Sequence, residues 1–211
     1  MRWSLHAPAP RTLEWANVAM QLAIVVVLLV GLWLRNLSVV INAAVALGVT
    51  FLPAVLERDY RISLSPSVTI WPTLAVLLHA IGILGPYGNV WWWDHVTHTL
   101  SAAVVASVGF AAVRVVDIHS DAIYLPPPFT AVFVLLFTLA LGVGWEVLEF
   151  VARSLGEAWG FAPVLYQYGL QDTILDLAFD AVGATLVALF AARPLSGLAE
   201  DLATRLWDRS G

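Results

Sequence analysis

The stretch WWWDHVTHTL, residues 91–100, places one aspartate and two histidines at the start of a long apolar run. Asp94 and His98 are four residues apart and His95 and His98 are three apart, so a helix would place them on one face. Carboxylate oxygens and imidazole nitrogens are ligands for zinc, manganese and iron. The stretch is therefore typical of one wall of a metal site, or of a helix start that Asp94 caps.

Two further acidic motifs lie inside apolar segments. In GWEVLEF, Glu146 and Glu149 are three residues apart and share a helix face. In LQDTILDLAFDAVGA, Asp172, Asp176 and Asp180 recur every four residues, so a helix places Asp180 roughly 12 Å along its axis from Asp172. Charged groups inside membrane helices cost several kcal/mol and face a bundle interior or a water-filled cavity.

The composition indicates a membrane protein. Of 211 residues, 60% are hydrophobic and only 12% are charged, which is too little polar surface for a soluble domain. The chain has no cysteine, which excludes disulfides and thiolate metal sites. It has no basic stripe or tail that would indicate nucleic-acid binding. The first apolar run is longer than the core of a signal peptide, so we expect it to remain as a membrane span.

Six apolar runs are long enough to cross a bilayer as helices. We expect an all-α polytopic membrane bundle, with residues 1–192 forming one six-span transmembrane domain. Residues 193–211 are predicted to form a short cytoplasmic amphipathic helix, because leucines recur there at helical spacing. The predicted spans are residues 14–34, 37–56, 66–85, 94–115, 128–152 and 172–192.

The arginines predict the orientation of these spans, because positively charged residues are enriched in cytoplasmic loops. All ten basic residues are arginine, and with six spans only Arg35 and Arg153 lie on the side opposite the termini. We therefore expect an inner (plasma) membrane protein with both termini in the cytoplasm. The three acidic motifs then all lie in the outer, extracytoplasmic half of the membrane.

So many carboxylates in one region cannot all be ionised without cations nearby. Either several are protonated or one or two divalent ions balance them, and the neighbouring histidines favour zinc, manganese or iron. Asp180 is a candidate general base, and Arg153 could bind an anionic head group. The candidate metal ligands are Asp94, His95, His98, Glu146, Glu149, Asp172 and Asp176.

Structural roles remain open for several of these residues. Asp172 could act as a helix cap, and His95 could be a polar residue beside an interfacial tryptophan belt. Glu149 could form a salt bridge with Arg153 four residues later. His79, in the third span, could reach the same site or hydrogen-bond between helices.

Three glycines in the last two spans, Gly142, Gly144 and Gly183, are predicted to allow helices to approach closely. Small residues serve this purpose in membrane helices because backbones can then come near each other.

The motifs DHVTHTLSA, GWEVLEF and YGLQDTILDLAFDAVGA resemble the YjdF-like family of bacterial and archaeal inner-membrane proteins. The resemblance covers roughly residues 70–192, and it implies a multi-span fold and important acidic motifs without implying a reaction. Gln171 departs from the pattern, because a glycine is expected there. The matching positions are Asp94, His98, Glu146, Glu149, Asp172, Asp176, Asp180 and Gly183.

The first functional hypothesis is a metal-dependent, hydrolase-like membrane enzyme that acts on a lipid or lipid-linked substrate. The alternatives are a transporter of cations, metals or protons that uses the same acids, and a structural protein in which metal only joins helices. The expected partners are membrane lipids and a lipid-like substrate, with no nucleic acid.

Overall fold

The computed structural model describes residues 11–60, 62, 64–119 and 123–191, together with positions 195, 197, 199, 200 and 203. All regular elements in this part of the chain are helices. The chain divides into two compact units, Met1–Pro86 and Tyr87–Gly211. The prediction that residues 1–192 form one domain stays a prediction.

The first unit is built from apolar helices that pack around Ile24 and Val39. The Asn17 side-chain amide donates to Thr69 Oγ1 (2.9 Å), and His79 Nε2 lies 3.1 Å from Asn42 Oδ1, so polar contacts also join its helices. His79 therefore has the interhelical hydrogen bond that was one of its two expected roles. The helices are α1 (Arg11–Trp33), α2 (Leu37–Thr50), α3 (Leu52–Tyr60) and α4 (Pro66–Ile83).

The second unit contains the acidic motifs. Its helix α6 packs most extensively against α8, and α7 packs against both. A short helix, α5, precedes them, and a π-helical segment, Val187–Ala191, continues α8. The helices are α5 (Pro86–Asn89), α6 (Trp93–His119), α7 (Pro127–Trp159) and α8 (Leu170–Leu186).

The prediction of six membrane spans is confirmed by six helical segments that are long and apolar enough to cross a bilayer. Many of their apolar side chains are exposed, as expected for surfaces that meet lipid. Most of the predicted C-terminal amphipathic helix, residues 193–211, lies outside the described residues. The spanning segments are Arg11–Trp33, Leu37–Asp59, Pro66–Ile83, Trp93–Ile118, Pro127–Trp159 and Leu170–Phe190.

Two glycines set the close approach of the three long helices in the second unit. A Cβ added at Gly183 on α8 would collide with the backbone oxygen of Thr99 and lie 2.9 Å from Ala102 Cβ, both on α6. A Cβ at Gly142 on α7 would collide with the carboxylate of Asp180. The predicted close approach of helices is therefore confirmed at Gly183, whereas Gly142 leaves room for a side chain, and at Gly144 no described atom lies within 4 Å of an added Cβ.

Replacing Gly183 with alanine should separate α6 from α8. We expect Gly183→Ala to lower the free energy of unfolding by about 1–3 kcal/mol, because the rigid backbone of α6 blocks the added methyl group. Thermal unfolding in detergent, followed by circular dichroism, measures this change. Gly144→Ala is the matched control and should be neutral or stabilising, since alanine favours helix over glycine. Equal losses in both variants would contradict the packing role of Gly183.

Candidate metal centre

His98 lies at the centre of a group of carboxylates contributed by α6 and α8. Its Nε2 atom is 3.6 Å from Asp94 Oδ1 and 3.9 Å from Asp176 Oδ1. Its Nδ1 atom is 3.2 Å from Asp180 Oδ1, within hydrogen-bond distance. The two ring nitrogens therefore face different carboxylates, with one pair of acids on one side and a single acid on the other.

Helical spacing explains how two helices supply this group. Asp94 and His98 are one turn apart on α6, and Asp176 and Asp180 are one turn apart on α8. Because Gly183 lets α8 approach α6 closely, the two pairs can meet across the helix interface. The Thr99 hydroxyl donates to the backbone oxygen of Phe179 (3.4 Å), which adds a polar contact at the same level.

The spacing of the donor atoms suits a bound cation. One ligand atom each from Asp94, His98 and Asp176 lies within 4.8 Å of the other two. The distances from His98 Nε2 to both carboxylates are too long for hydrogen bonds. Two ligands of a tetrahedral ion with bonds of about 2.1 Å are about 3.4 Å apart. The three side chains therefore approximate a ligand set and need only small adjustments.

One carboxylate oxygen of this group is buried without a hydrogen bond from any described residue. Asp176 is only 1% exposed, and its Oδ1 atom has no hydrogen-bond partner among the described residues. Leaving a buried polar atom unpaired costs about 1–3 kcal/mol, and more for a charged group. Because the same atom faces His98 Nε2, a cation between them would satisfy it.

Asp180 orients the histidine. When Nδ1 of His98 carries the proton and donates to Asp180, Nε2 keeps a free lone pair for a metal ion. Metal-binding histidines commonly donate their second ring nitrogen to a carboxylate in this way. Gly142 leaves room for the Asp180 carboxylate, since a side chain at that position would occupy the same space.

The structure places the other three predicted carboxylate ligands in separate contacts. Glu146 Oε2 accepts a hydrogen bond from the Thr173 hydroxyl (2.6 Å), and Glu149 Oε1 accepts one from the Trp145 indole (2.9 Å). Asp172 Oδ2 accepts from the backbone N–H of Tyr168 (2.9 Å) near the start of α8, a contact of the capping type. Metal ligation by these three carboxylates stays a prediction.

His95 and Arg153 also have structural contacts. The ring of His95 stacks on Phe179, with centroids 4.3 Å apart and planes inclined by 8°. Arg153 pairs with Glu157 through Nε (2.8 Å) and donates from Nη1 to the backbone oxygen of Gln167 (2.5 Å). The alternative in which Arg153 pairs with Glu149 is therefore not the one adopted, since its partner lies one turn later along α7. The structure does not include His95 in the three-residue group around His98.

Several neighbouring residues were missed by sequence reasoning. The Tyr87 hydroxyl donates to Thr97 Oγ1 (3.3 Å), whose own hydroxyl donates to the backbone oxygen of Asp94 (2.8 Å). Burial raises the pKa of Tyr87 above its ordinary value, which keeps this phenol neutral. Thr97 and Thr173 lie three residues from Asp94 and Asp176, respectively, and this spacing was the available signal.

Comparisons with known proteins place the chain among membrane proteins. A family model described as "Predicted membrane protein (DUF2238)" matches residues 16–196. An uncharacterized protein of Thermotoga maritima is 24% identical over 149 residues, which cover 70% of this chain and 73% of that protein. No solved structure matches the chain. The family description agrees with the six spanning helices, and neither description states an activity.

Substitution of the two neighbouring histidines distinguishes a ligand from a packing residue. We expect His98→Gln to weaken divalent-metal binding by more than about tenfold, because it removes the nitrogen between Asp94 and Asp176. His95→Gln is the matched control and should leave the affinity within about twofold, since its ring packs on Phe179. Equilibrium dialysis of the purified protein against zinc or manganese measures both affinities. Equal losses would place His95 among the ligands and contradict the three-residue group.

Proposed function

This chain belongs to the DUF2238 family of predicted membrane proteins, and we propose that it is a metal-dependent membrane enzyme that hydrolyses a lipid or lipid-linked substrate. The observation that carries the proposal is the environment of His98. Its Nε2 atom faces Asp94 and the unpartnered oxygen of Asp176, while its Nδ1 atom is held by Asp180. This arrangement favours one divalent ion bound by Asp94, His98 and Asp176.

Three protein ligands are typical of catalytic sites, because a fourth position then remains for water or substrate. Structural sites usually use four protein ligands and close the coordination sphere. The ion would supply a nucleophilic water at neutral pH and would polarise the bond to be cleaved. One imidazole and two carboxylates are compatible with zinc, manganese or iron.

The contacts of Asp180 favour a positioning role over the general-base role predicted from the sequence. Its Oδ1 atom lies against His98 Nδ1, and its other oxygen lies beside Gly142, where no side chain intervenes. Arg153 remains a candidate for contact with an anionic head group, because its side chain is 43% exposed although two of its nitrogens have partners.

Cation transport is the second candidate, and the spacing of acids along α8 favours it. Asp172, Asp176 and Asp180 recur at each helical turn, and carboxylates with this spacing could bind an ion successively along a pathway. The stripe does not continue, because the next positions on this face are Gly183, Ala184 and Val187. Ala184 and Val187 are buried among apolar side chains, which favours a dead-end site over a pathway.

We also propose that the site faces the extracytoplasmic side of the inner membrane, with both termini in the cytoplasm. The support is the uneven distribution of arginines, eight on the side of the termini and two on the other. The resemblance to the YjdF-like family supports the same membrane location.

Metal content and lipid hydrolysis test the proposed enzyme together. We expect the wild-type protein, purified in detergent and reloaded with metal, to contain about one equivalent of divalent ion. When incubated with a bacterial membrane lipid extract, it should release a hydrolysed product detectable by mass spectrometry, and a chelator should stop the release. Asp176→Asn should lose both properties, because it weakens the buried ligand without changing its shape.

The control for this experiment is Asp59→Asn, which changes an aspartate outside the site and should behave as wild type. Metal content below about 0.2 equivalents after reloading would contradict the metal centre itself. Full metal content without lipid hydrolysis, combined with metal uptake into proteoliposomes, would favour the transporter. Full metal content with neither lipid hydrolysis nor metal uptake would favour a structural role for the ion.

Because the chain has no cysteine, single introduced cysteines can report the orientation directly. Trp91, before α6, and Tyr124, before α7, are a matched pair, being 81% and 80% exposed at opposite ends of α6. In spheroplasts, we expect a membrane-impermeant maleimide to label Trp91→Cys, but to label Tyr124→Cys only after lysis. The reverse pattern would place the site on the cytoplasmic side.

A further inference from the structure

A cavity of about 250 Å³ lies between α7 and α8, beside the proposed metal centre. Its apolar lining comes from Val143, Val147 and Phe150 on α7 and from Leu177 on α8. Pockets that enclose a whole small molecule usually measure about 300–1,000 Å³. This cavity therefore suits a head group and the beginning of a chain, with the rest of the molecule outside.

The apolar side of the cavity belongs to a surface that meets lipid in a membrane. Val143, Val147 and Phe150 are 48%, 56% and 56% exposed and lie within the candidate membrane span Pro127–Trp159. In a bilayer, acyl chains would contact these side chains. A ligand with an apolar chain can therefore enter sideways without crossing a polar region.

Behind the apolar lining, the three polar liners of the cavity are ordered by hydrogen bonds. The Gln167 side-chain amide donates to Thr173 Oγ1 (2.8 Å), and the Thr173 hydroxyl donates to Glu146 Oε2 (2.6 Å). Arg153 donates to the backbone oxygen of Gln167, which ties the loop before α8 to α7. These contacts hold Glu146 by one of its two carboxylate oxygens.

The second oxygen of Glu146 is buried and lacks a hydrogen bond within the described part of the chain. Glu146 is only 4% exposed, and its Oε1 atom has no hydrogen-bond partner among the described residues. A carboxylate oxygen is an acceptor, so a matching ligand must present a donor. The polar liners are a carboxylate, an amide and a hydroxyl, so the described wall favours a neutral donor over an anionic head group.

The cavity and the proposed metal centre use neighbouring turns of α8. Thr173 and Leu177 line the cavity, while Asp176 and Asp180 face His98. Thr173 and Asp176 are three residues apart, as are Leu177 and Asp180, so the two sites are separated by about one helical turn. A molecule held by Glu146 would therefore lie close to the proposed metal ion.

We infer that this cavity binds a lipid with a hydroxyl-bearing head group, whose hydroxyl donates to Glu146 while its acyl chain packs along Val147 and Phe150. The assignment of this lipid as the substrate rests on the proposed metal-dependent hydrolysis. Binding itself depends only on the cavity and can be measured separately.

Photolabelling of the metal-loaded protein in lipid nanodiscs tests the inference. The probe is a monoacylglycerol with a diazirine in its acyl chain, and peptide mass spectrometry locates the label. We expect labelling within residues 143–150 and 173–177, with about tenfold less in Glu146→Gln because the charged acceptor is lost. A probe with the same chain but a methyl ester head, which has no donor, should label wild type about tenfold less.

A matched pair of variants tests the cavity independently of the head group. Val147→Trp fills the cavity, whereas Leu148→Trp adds the same bulk at a neighbouring position that does not line it, and the two residues are similarly exposed, 56% and 53%. Labelling should fall about tenfold in Val147→Trp and stay at the wild-type level in Leu148→Trp. Metal content should be unchanged in both variants, which shows that the centre remains intact.

Each outcome has a distinct meaning. Wild-type labelling in Val147→Trp, or equal loss in Leu148→Trp, would overturn the cavity as the binding site. Wild-type labelling in Glu146→Gln, or stronger labelling by a long-chain amine probe, would overturn recognition of a hydroxyl. Specific labelling by a protein that binds no metal would support the lipid site while contradicting the proposed enzyme, so the two failures are distinguishable.

Discussion

The free-energy cost of placing carboxylates inside membrane-spanning helices constrains the whole second unit. Asp176, Asp180, Glu146 and Glu149 are each no more than 8% exposed. An isolated charge in this position is unfavourable by several kcal/mol, so each carboxylate needs a partner or a proton. His98, Thr173 and Trp145 supply contacts for three of them. Within the described residues, one oxygen of Asp176 and one of Glu146 lack hydrogen bonds, so a cation or a donor would be most favourable at these two atoms.

The helix packing follows from this constraint. Three helices must come close enough for short acidic side chains on one to reach an imidazole on another. Gly183 removes the obstacle between α8 and α6, and Gly142 removes the obstacle between α7 and Asp180. Small residues commonly serve this purpose in membranes, where apolar burial provides little drive for helices to associate. Packing and site geometry therefore depend on the same two positions.

The sequence was sufficient to predict the six spans and the helix faces that Asp94 shares with His98 and Asp176 shares with Asp180. Six apolar runs of bilayer length predicted six helices, since only length and hydropathy are needed. The one-turn spacing of Asp94 and His98, and of Asp176 and Asp180, predicted shared faces. Spacing cannot give the rotation of each helix about its axis, because tertiary packing sets it. His95 and His98 are three residues apart, yet one stacks on Phe179 and the other faces carboxylates.

Spacing in the sequence also left the partners of Asp172 and Arg153 undecided. Asp172 was expected either to cap a helix or to bind metal. In the structure it accepts a hydrogen bond from the backbone N–H of Tyr168, which lies in an irregular loop. Pairing of Arg153 with Glu149 was one alternative, and the structure pairs Arg153 with Glu157; the two glutamates are equally spaced around it, and only the rotamers decide. Local pattern thus narrows the choice of partners, and three-dimensional packing selects among them.

Gln167 has a consequence for motion in the loop between α7 and α8. Its backbone oxygen accepts from Arg153, and its side chain donates to Thr173, which in turn holds Glu146. A displacement of the loop at this residue therefore breaks its bond to Arg153 on α7 and its bond to Thr173 on α8 together. The Thr173 hydroxyl, which lies on α8, would then hold Glu146 without its own partner in the loop. A single loop residue thus joins two helices, and Thr173 extends this chain of hydrogen bonds to a buried acid more than 20 residues from Gln167 in the sequence.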